Sequence, residues 1–88
     1  MKCLYNKKFL KDLAKIPKNE RISIEEFVFE EFPQSDSLSS TNRVKKLKGS
    51  KNCFKARFGD YRVGIRLNND EVIFERVLHR KEIYRFFP

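Results

Sequence analysis

Cys53-Phe54-Lys55-Ala56-Arg57-Phe58-Gly59-Asp60-Tyr61-Arg62-Val63-Gly64-Ile65-Arg66-Leu67 is the stretch on which the fold turns. Two alternating runs flank Gly59-Asp60, a pair suited to a tight turn, and this combination predicts two antiparallel strands. Successive side chains on a strand point to opposite faces. Phe54, Ala56 and Phe58 therefore share one side of the first strand, with Cys53, Lys55 and Arg57 on the other. In the second strand Tyr61, Val63, Ile65 and Leu67 share a face, and Arg62, Gly64 and Arg66 the reverse. If the apolar sides meet a covering layer, the opposite side displays Lys55, Arg57, Arg62 and Arg66 together as a concave, basic, helix-free surface. Exposed faces ordinarily mix signs, because like charges lying opposite one another repel. A bound phosphate backbone relieves that repulsion, and Arg offers it a bidentate fork.

Outward from this pair of strands, Lys2 to Tyr5 reads as a short strand leading into a helix with Phe9, Leu10, Leu13 and Ala14 at helical spacing. Pro17 breaks it. A second helix runs from about Asn19 to Phe32, with Ile24, Phe27, Val28 and Phe32 on one face, and Pro33 stops it. Gln34 to Asn42 is a polar connection, after which the pattern is that of β structure. Val44 to Leu47 is a short strand, Lys48 to Asn52 a loop, Asn68-Asn69-Asp70 a turn and Glu71 to Leu78 the last strand. The tail from Arg80 to Phe87 is expected to dock as a helical turn through Ile83, Phe86 or Phe87. The sum is an α+β fold: a small, mostly antiparallel four-stranded sheet in the order β-α-α-β-β-β, an N-terminal helix hairpin on one face and a short C-terminal helical segment. Residues 1–88 form one domain, since a chain this short buries only about 60–65% of its unfolded surface.

The hydrophobic content of 40%, with nine Phe and three Tyr, is enough for a core and argues against disorder. No window approaches the roughly 18 apolar residues of a membrane span, and the N-terminus lacks a secretion signal, so the expected location is the cytoplasm, with no membrane partner. Cys3, Cys53 and the lone His79 are in no metal-ligand spacing and are read as two reduced thiols and an isolated imidazole. The net charge is +8. Residues 1–42 carry seven basic and seven acidic groups, whereas residues 43–88 carry thirteen basic and five acidic ones. A charge intended only for solubility would spread over both halves; this asymmetry marks a surface for a polyanion, and RNA is the expected partner. The C-terminal segment adds His79, Arg80, Lys81, Tyr84 and Arg85 to the basic face. His79, with an ordinary pKa of about 6.5, can exchange protons near neutrality, and Tyr84 can stack on a base.

Three stretches now stand in order: Lys46-Leu47-Lys48-Gly49, then Phe54 to Ile65, then Val77-Leu78-His79-Arg80-Lys81-Glu82-Ile83-Tyr84. With the element order and length, they resemble the RelE/ParE toxin superfamily over the whole chain, and most of all its archaeal and cyanobacterial RelE-type toxins. The resemblance implies a toxin of a type II toxin–antitoxin system: a ribosome-associated endoribonuclease that cuts messenger RNA in the A site of the small subunit and is held inactive by a cognate antitoxin. It implies in-line attack of a ribose 2′-hydroxyl on the adjacent phosphate, with no metal or other cofactor. Carried over by position, Lys55 is the base, Arg62 holds the scissile phosphate, Arg57 assists and Tyr84 orients or stacks on the RNA. A lysine base needs its pKa of about 10.4 lowered, which the crowding of Arg57 and Arg62 favours. Where the family carries an arginine to serve the leaving group, this chain has Leu78, so that role passes to His79 or Arg80. Lys46, Lys48, Arg57, Arg66, Lys81 and Arg85 are the remaining RNA-binding candidates. The ParE branch, which inhibits DNA gyrase, and a non-catalytic nucleic-acid-binding module are the alternatives.

Overall fold

A computed structural model of the chain describes residues 2–35 and 43–88. Most of the polar connection read over Gln34 to Asn42 lies outside the described residues. Five strands and three helices follow in the order β1 (Lys2–Tyr5), α1 (Lys7–Ala14), α2 (Lys18–Glu25), β2 (Val44–Lys46), β3 (Cys53–Phe58), β4 (Tyr61–Asn68), β5 (Glu71–His79) and α3 (Ile83–Phe86). The end of α2 widens into a π-helical stretch, Glu26–Glu31, and tightens to a 3-10 turn at Phe32–Gln34, where Pro33 has no N–H to continue the ladder. The α+β class is as expected, but the sheet has five strands rather than four, because all five stretches read as strands join it, in the order β1-β5-β4-β3-β2. The three-residue β2 forms an antiparallel edge on β3, while β1 lies parallel to β5 and gives the sheet its one parallel pairing. Gly59, at φ +58°, makes the left-handed turn that joins β3 to β4.

Both helices bury their apolar stripe on one face of the sheet. Phe9, Leu13 and Ile16 meet Ile24, Phe27, Val28 and Phe32, and beneath them lie Ala56, Phe58, Val63, Ile65, Val72, Phe74 and Val77. Phe74 is the hub of the aromatic packing: Tyr5 stacks on it at 5.2 Å, and Phe9 and Phe32 meet it at 5.7 and 5.6 Å. The Tyr5 hydroxyl donates to the Val28 carbonyl at 2.5 Å, tying β1 to the π-helical stretch, and burial pushes its phenol up to about 12, Cys3 adding to the shift. On α1 the spacing placed Leu10 and Ala14 on the buried face; both are instead exposed, and Asp12 is buried there. The reason is an ion pair: Arg76 of β5 grips Asp12 with two N–H groups at 2.7 and 3.0 Å, and the Val77 N–H adds a third bond at 3.2 Å, clamping α1 to the sheet.

The reverse face is not helix-free. The tail docks there: Ile83 and Phe87 are buried with Cys53, and Leu47 and Leu78 pack around them as a second, small core. Phe86, the third expected anchor, points outward, with the Arg76 guanidinium 5.1 Å from its ring. No helix among the described residues is long and apolar enough to cross a membrane.

Candidate functional site

The antiparallel register of β2, β3 and β4 sets the site. Lys55 lies opposite Gly64 on one side and Lys45 on the other, and Arg57 lies opposite Arg62. The small core on this face holds α3 so that Tyr84 leans back over β3. Its hydroxyl accepts a hydrogen bond from the Lys55 Nζ at 2.5 Å, and the ring remains more than half exposed. The pair thus offers a proton-handling group and a flat aromatic surface side by side.

Arg62 sits below them and is only 7% exposed. Its guanidinium donates to the carbonyls of Gly59 and Tyr61, at 2.6 and 2.9 Å. Among the described residues no carboxylate lies within ion-pair distance of it. Burial lowers its pKa and Arg57 lowers it further, with Arg80 acting in the same direction against Tyr84 and Asp60. A cation held in such a place carries a desolvation cost that an arriving anion would offset. Arg80 approaches from the end of β5, where its N–H bonds the Asp60 carbonyl at 2.7 Å and its exposed guanidinium lies 3.7 Å from the Asp60 carboxylate. Lys55, Arg57, Arg62, Arg80 and Tyr84 are therefore brought to one locality.

The other candidates fall elsewhere. Arg66 is on the same face but is taken: Glu75 of β5 binds its Nε, raising its pKa, and the Phe87 ring lies 5.8 Å away. The face is thus not uniformly cationic, since β5 supplies an acid that the two central strands alone did not reveal. His79 lies on the opposite, helix-covered face. It pairs with Tyr61, whose ring it meets edge-on at 5.8 Å, and it lines a cavity of about 350 Å³ with Lys15 and Ile16, which follow α1. Its Nδ1 accepts the Lys81 N–H at 3.2 Å. Leu78, the residue that stands in for the family's arginine, does face the site, opposite Arg62, but as part of the small apolar core. Lys81 and Arg85 are exposed, in the turn after β5 and on α3.

Two cations were missed. Lys46 pairs with Phe54, which packs toward the helix-side core, so the β2 lysine that shares a face with Lys55 is Lys45. Lys46 and Lys48 instead border a groove of about 530 Å³ that ends at Lys55, Tyr84 and Pro88. Arg43 donates to the Arg57 carbonyl at 2.9 Å and lies 4.4 Å over the Phe58 ring, closing a cleft of about 490 Å³ lined by Arg43, Lys45, Lys55 and Arg57. The signal that could have found Lys45 is the alternation from Val44, which has the apolar character of a core-facing residue.

Residues 4–84 match the family described as ParE toxin of type II toxin–antitoxin system, parDE. The chain is 46% identical over 89 residues to Toxin RelE3 of Methanocaldococcus jannaschii, and the match covers all of both sequences. A chain in the crystal structure of the RelB–RelE antitoxin–toxin complex from Methanococcus jannaschii is 45% identical, with a TM-score of 0.81, over 97% of this chain and 99% of that one. The RelBE2 toxin–antitoxin complex from Mycobacterium tuberculosis contains a chain 27% identical, with a TM-score of 0.68, over 90% of this chain and 96% of the other.

Proposed function

The chain belongs to the ParE toxin family of type II toxin–antitoxin systems and is homologous to RelE toxins, and from that premise we propose that it is a metal-independent endoribonuclease that cuts messenger RNA in the ribosomal A site. The observation that carries the reading is Arg62: a nearly buried arginine, with no carboxylate partner among the described residues, at the centre of Arg57, Arg80, Lys55 and Tyr84. Phosphodiester cleavage by the adjacent 2′-hydroxyl needs a group to take the hydroxyl proton, positive charge where the phosphoryl oxygens become more negative, and stabilisation of the departing 5′ oxygen. Lys55 takes the proton, with Tyr84 fixing its amine and offering its ring to a base. Arg62 and Arg57 hold the non-bridging oxygens, and their fixed cations supply the charge that a metal ion would otherwise provide. The attacking oxygen forms the new bond to phosphorus as the 5′ oxygen leaves, giving a 2′,3′-cyclic phosphate and a 5′-hydroxyl. Arg80 donates a hydrogen bond to that leaving oxygen, which takes its proton from solvent water; His79, facing the helices, is left out of the reaction.

The same cations suit an acidic or carboxylate-bearing antitoxin segment, and a RelB-type antitoxin covering them would exclude RNA. The 46% identity to a protein named as a RelE toxin favours this branch over gyrase inhibition. The test is to induce the wild type, Lys55→Ala and Arg62→Ala in a bacterial host and map messenger 5′ ends by primer extension. Cuts inside translated codons that accompany growth arrest and fall by about 10²-fold or more in each variant support the proposal. Arrest with intact messages and inhibited supercoiling would overturn it in favour of gyrase.

A further inference from the structure

Tyr84 sits on a helix of four residues, too short to hold its own shape in water. What fixes it lies on either side in sequence. Ile83 and Phe87 are each 1% exposed, the Phe87 N–H bonds the Ile83 carbonyl at 2.8 Å, and the two side chains enter the small core of Cys53, Leu47 and Leu78. Phe87 does not rest on side chains alone. Its ring lies on the bare backbone of Gly64, where an added Cβ would stand 2.6 Å from Cδ2 and 2.7 Å from Cγ. Real Cβ atoms do not approach so closely, and Cδ2 and Cγ belong to a stiff, buried ring, so any side chain at position 64 must lift the tail. Gly64 is also the residue directly across from Lys55, and it borders the register shift between β4 and β5. The seat of Phe87 and the lysine that Tyr84 must reach are thus neighbours on adjacent strands.

We propose that Gly64 and Phe87 form a seat that positions Tyr84 over Lys55, making both of them positioning residues for the cleavage reaction. This rests on the ribonuclease reading and adds to it the element that holds an otherwise exposed tyrosine in reach of the base. A displacement of about 1 Å at a reacting group costs on the order of 10²-fold in rate, so the seat matters although neither residue touches RNA.

The experiment is a cycle of variants assayed as full-length toxin on ribosomes programmed with a defined message, alongside ¹⁹F spectra of the free toxin carrying 3-fluorotyrosine at position 84. Gly64→Ala is expected to slow single-turnover cleavage by about 10- to 100-fold in the wild-type background, and by less than about twofold when Tyr84 is already alanine. Combining Gly64→Ala with Phe87→Leu, which makes room for the methyl group, is expected to recover part of the loss. The ¹⁹F resonance should move toward the position of a free tyrosine in Gly64→Ala and return partway in the double variant. An equal loss in both Tyr84 backgrounds, or an unmoved resonance, would overturn the proposal. If Gly64→Ala fails to fold by circular dichroism, Phe87→Ala takes its place in the cycle with the same two outcomes. If the wild type does not cleave, the ribonuclease reading fails, and the resonance alone decides whether the seat holds Tyr84.

Discussion

The two faces of the sheet are built from the same strands and are put to opposite uses. The face under the helices is closed by packing: seven aromatic and aliphatic residues of the strands meet seven of the helices and the turn between them, and its one buried charge among the described residues, Asp12, is gripped by Arg76. The reverse face is closed only in part. A cluster of Cys53, Ile83 and Phe87 seals one portion, and beside it Arg62 is buried among other cations. Stability is concentrated where the buried charge is paired, and the candidate chemistry where it is not.

The sharpest way to break this contrast is to remove one large side chain from each face. Phe74→Ala should destabilise the fold by about 3–5 kcal/mol, because the ring is fully buried at the junction of Tyr5, Phe9 and Phe32. Urea denaturation would read this as a lower midpoint with little change in slope. Arg62→Leu, also at a buried position, should change stability by no more than about 1 kcal/mol in either direction, since the bonds lost to two carbonyls are balanced by relief of a buried, uncompensated charge. It should nonetheless abolish cleavage. A loss at Arg62 as large as that at Phe74 would mean that the reverse face is as structurally committed as the helix side.

The smallest expected effect concerns the helix side at high pH. The folded Tyr5 phenol holds its proton more tightly than an unfolded tyrosine with a pKa near 10. Its contribution is therefore complete below about pH 10 and is lost as the pH rises toward 12. Thermal midpoints of the wild type should fall across that window, and Tyr5→Phe should start about 1 kcal/mol less stable, through loss of the Val28 bond, and fall less steeply. Parallel curves for the two proteins would remove Tyr5 from the account.

The pattern from Cys53 to Leu67 was enough to place Lys55, Arg57 and Arg62 on one face, because strand alternation is local and the turn at Gly59 leaves little freedom of register. The same reasoning failed for His79, and β5 shows why. Val72 and Phe74 face the helices, yet so do Val77 and His79, although the parity of their positions has changed. Gly64 pairs with Arg76 and Ile65 with Phe74, leaving Glu75 as an extra residue in β5. That bulge reverses the alternation, turning Leu78 toward Arg62 and His79 toward the helices. Lys45 was passed over for a different reason: in a strand of three residues one apolar position, Val44, is all that marks the core-facing side.

By itself the sequence determined the α+β class, the helix hairpin, the central pair of strands and the concentration of positive charge in the C-terminal half, all of which follow from periodicities and compositions counted along the chain. Only the tertiary structure decided which cations meet, that Glu75 neutralises Arg66, and that Phe87 rests on Gly64 to hold Tyr84 beside Lys55. Those contacts join residues on different strands or on a strand and the tail, and a single bulge or an absent Cβ sets them, so they depend on how the strands pair rather than on how any one of them reads.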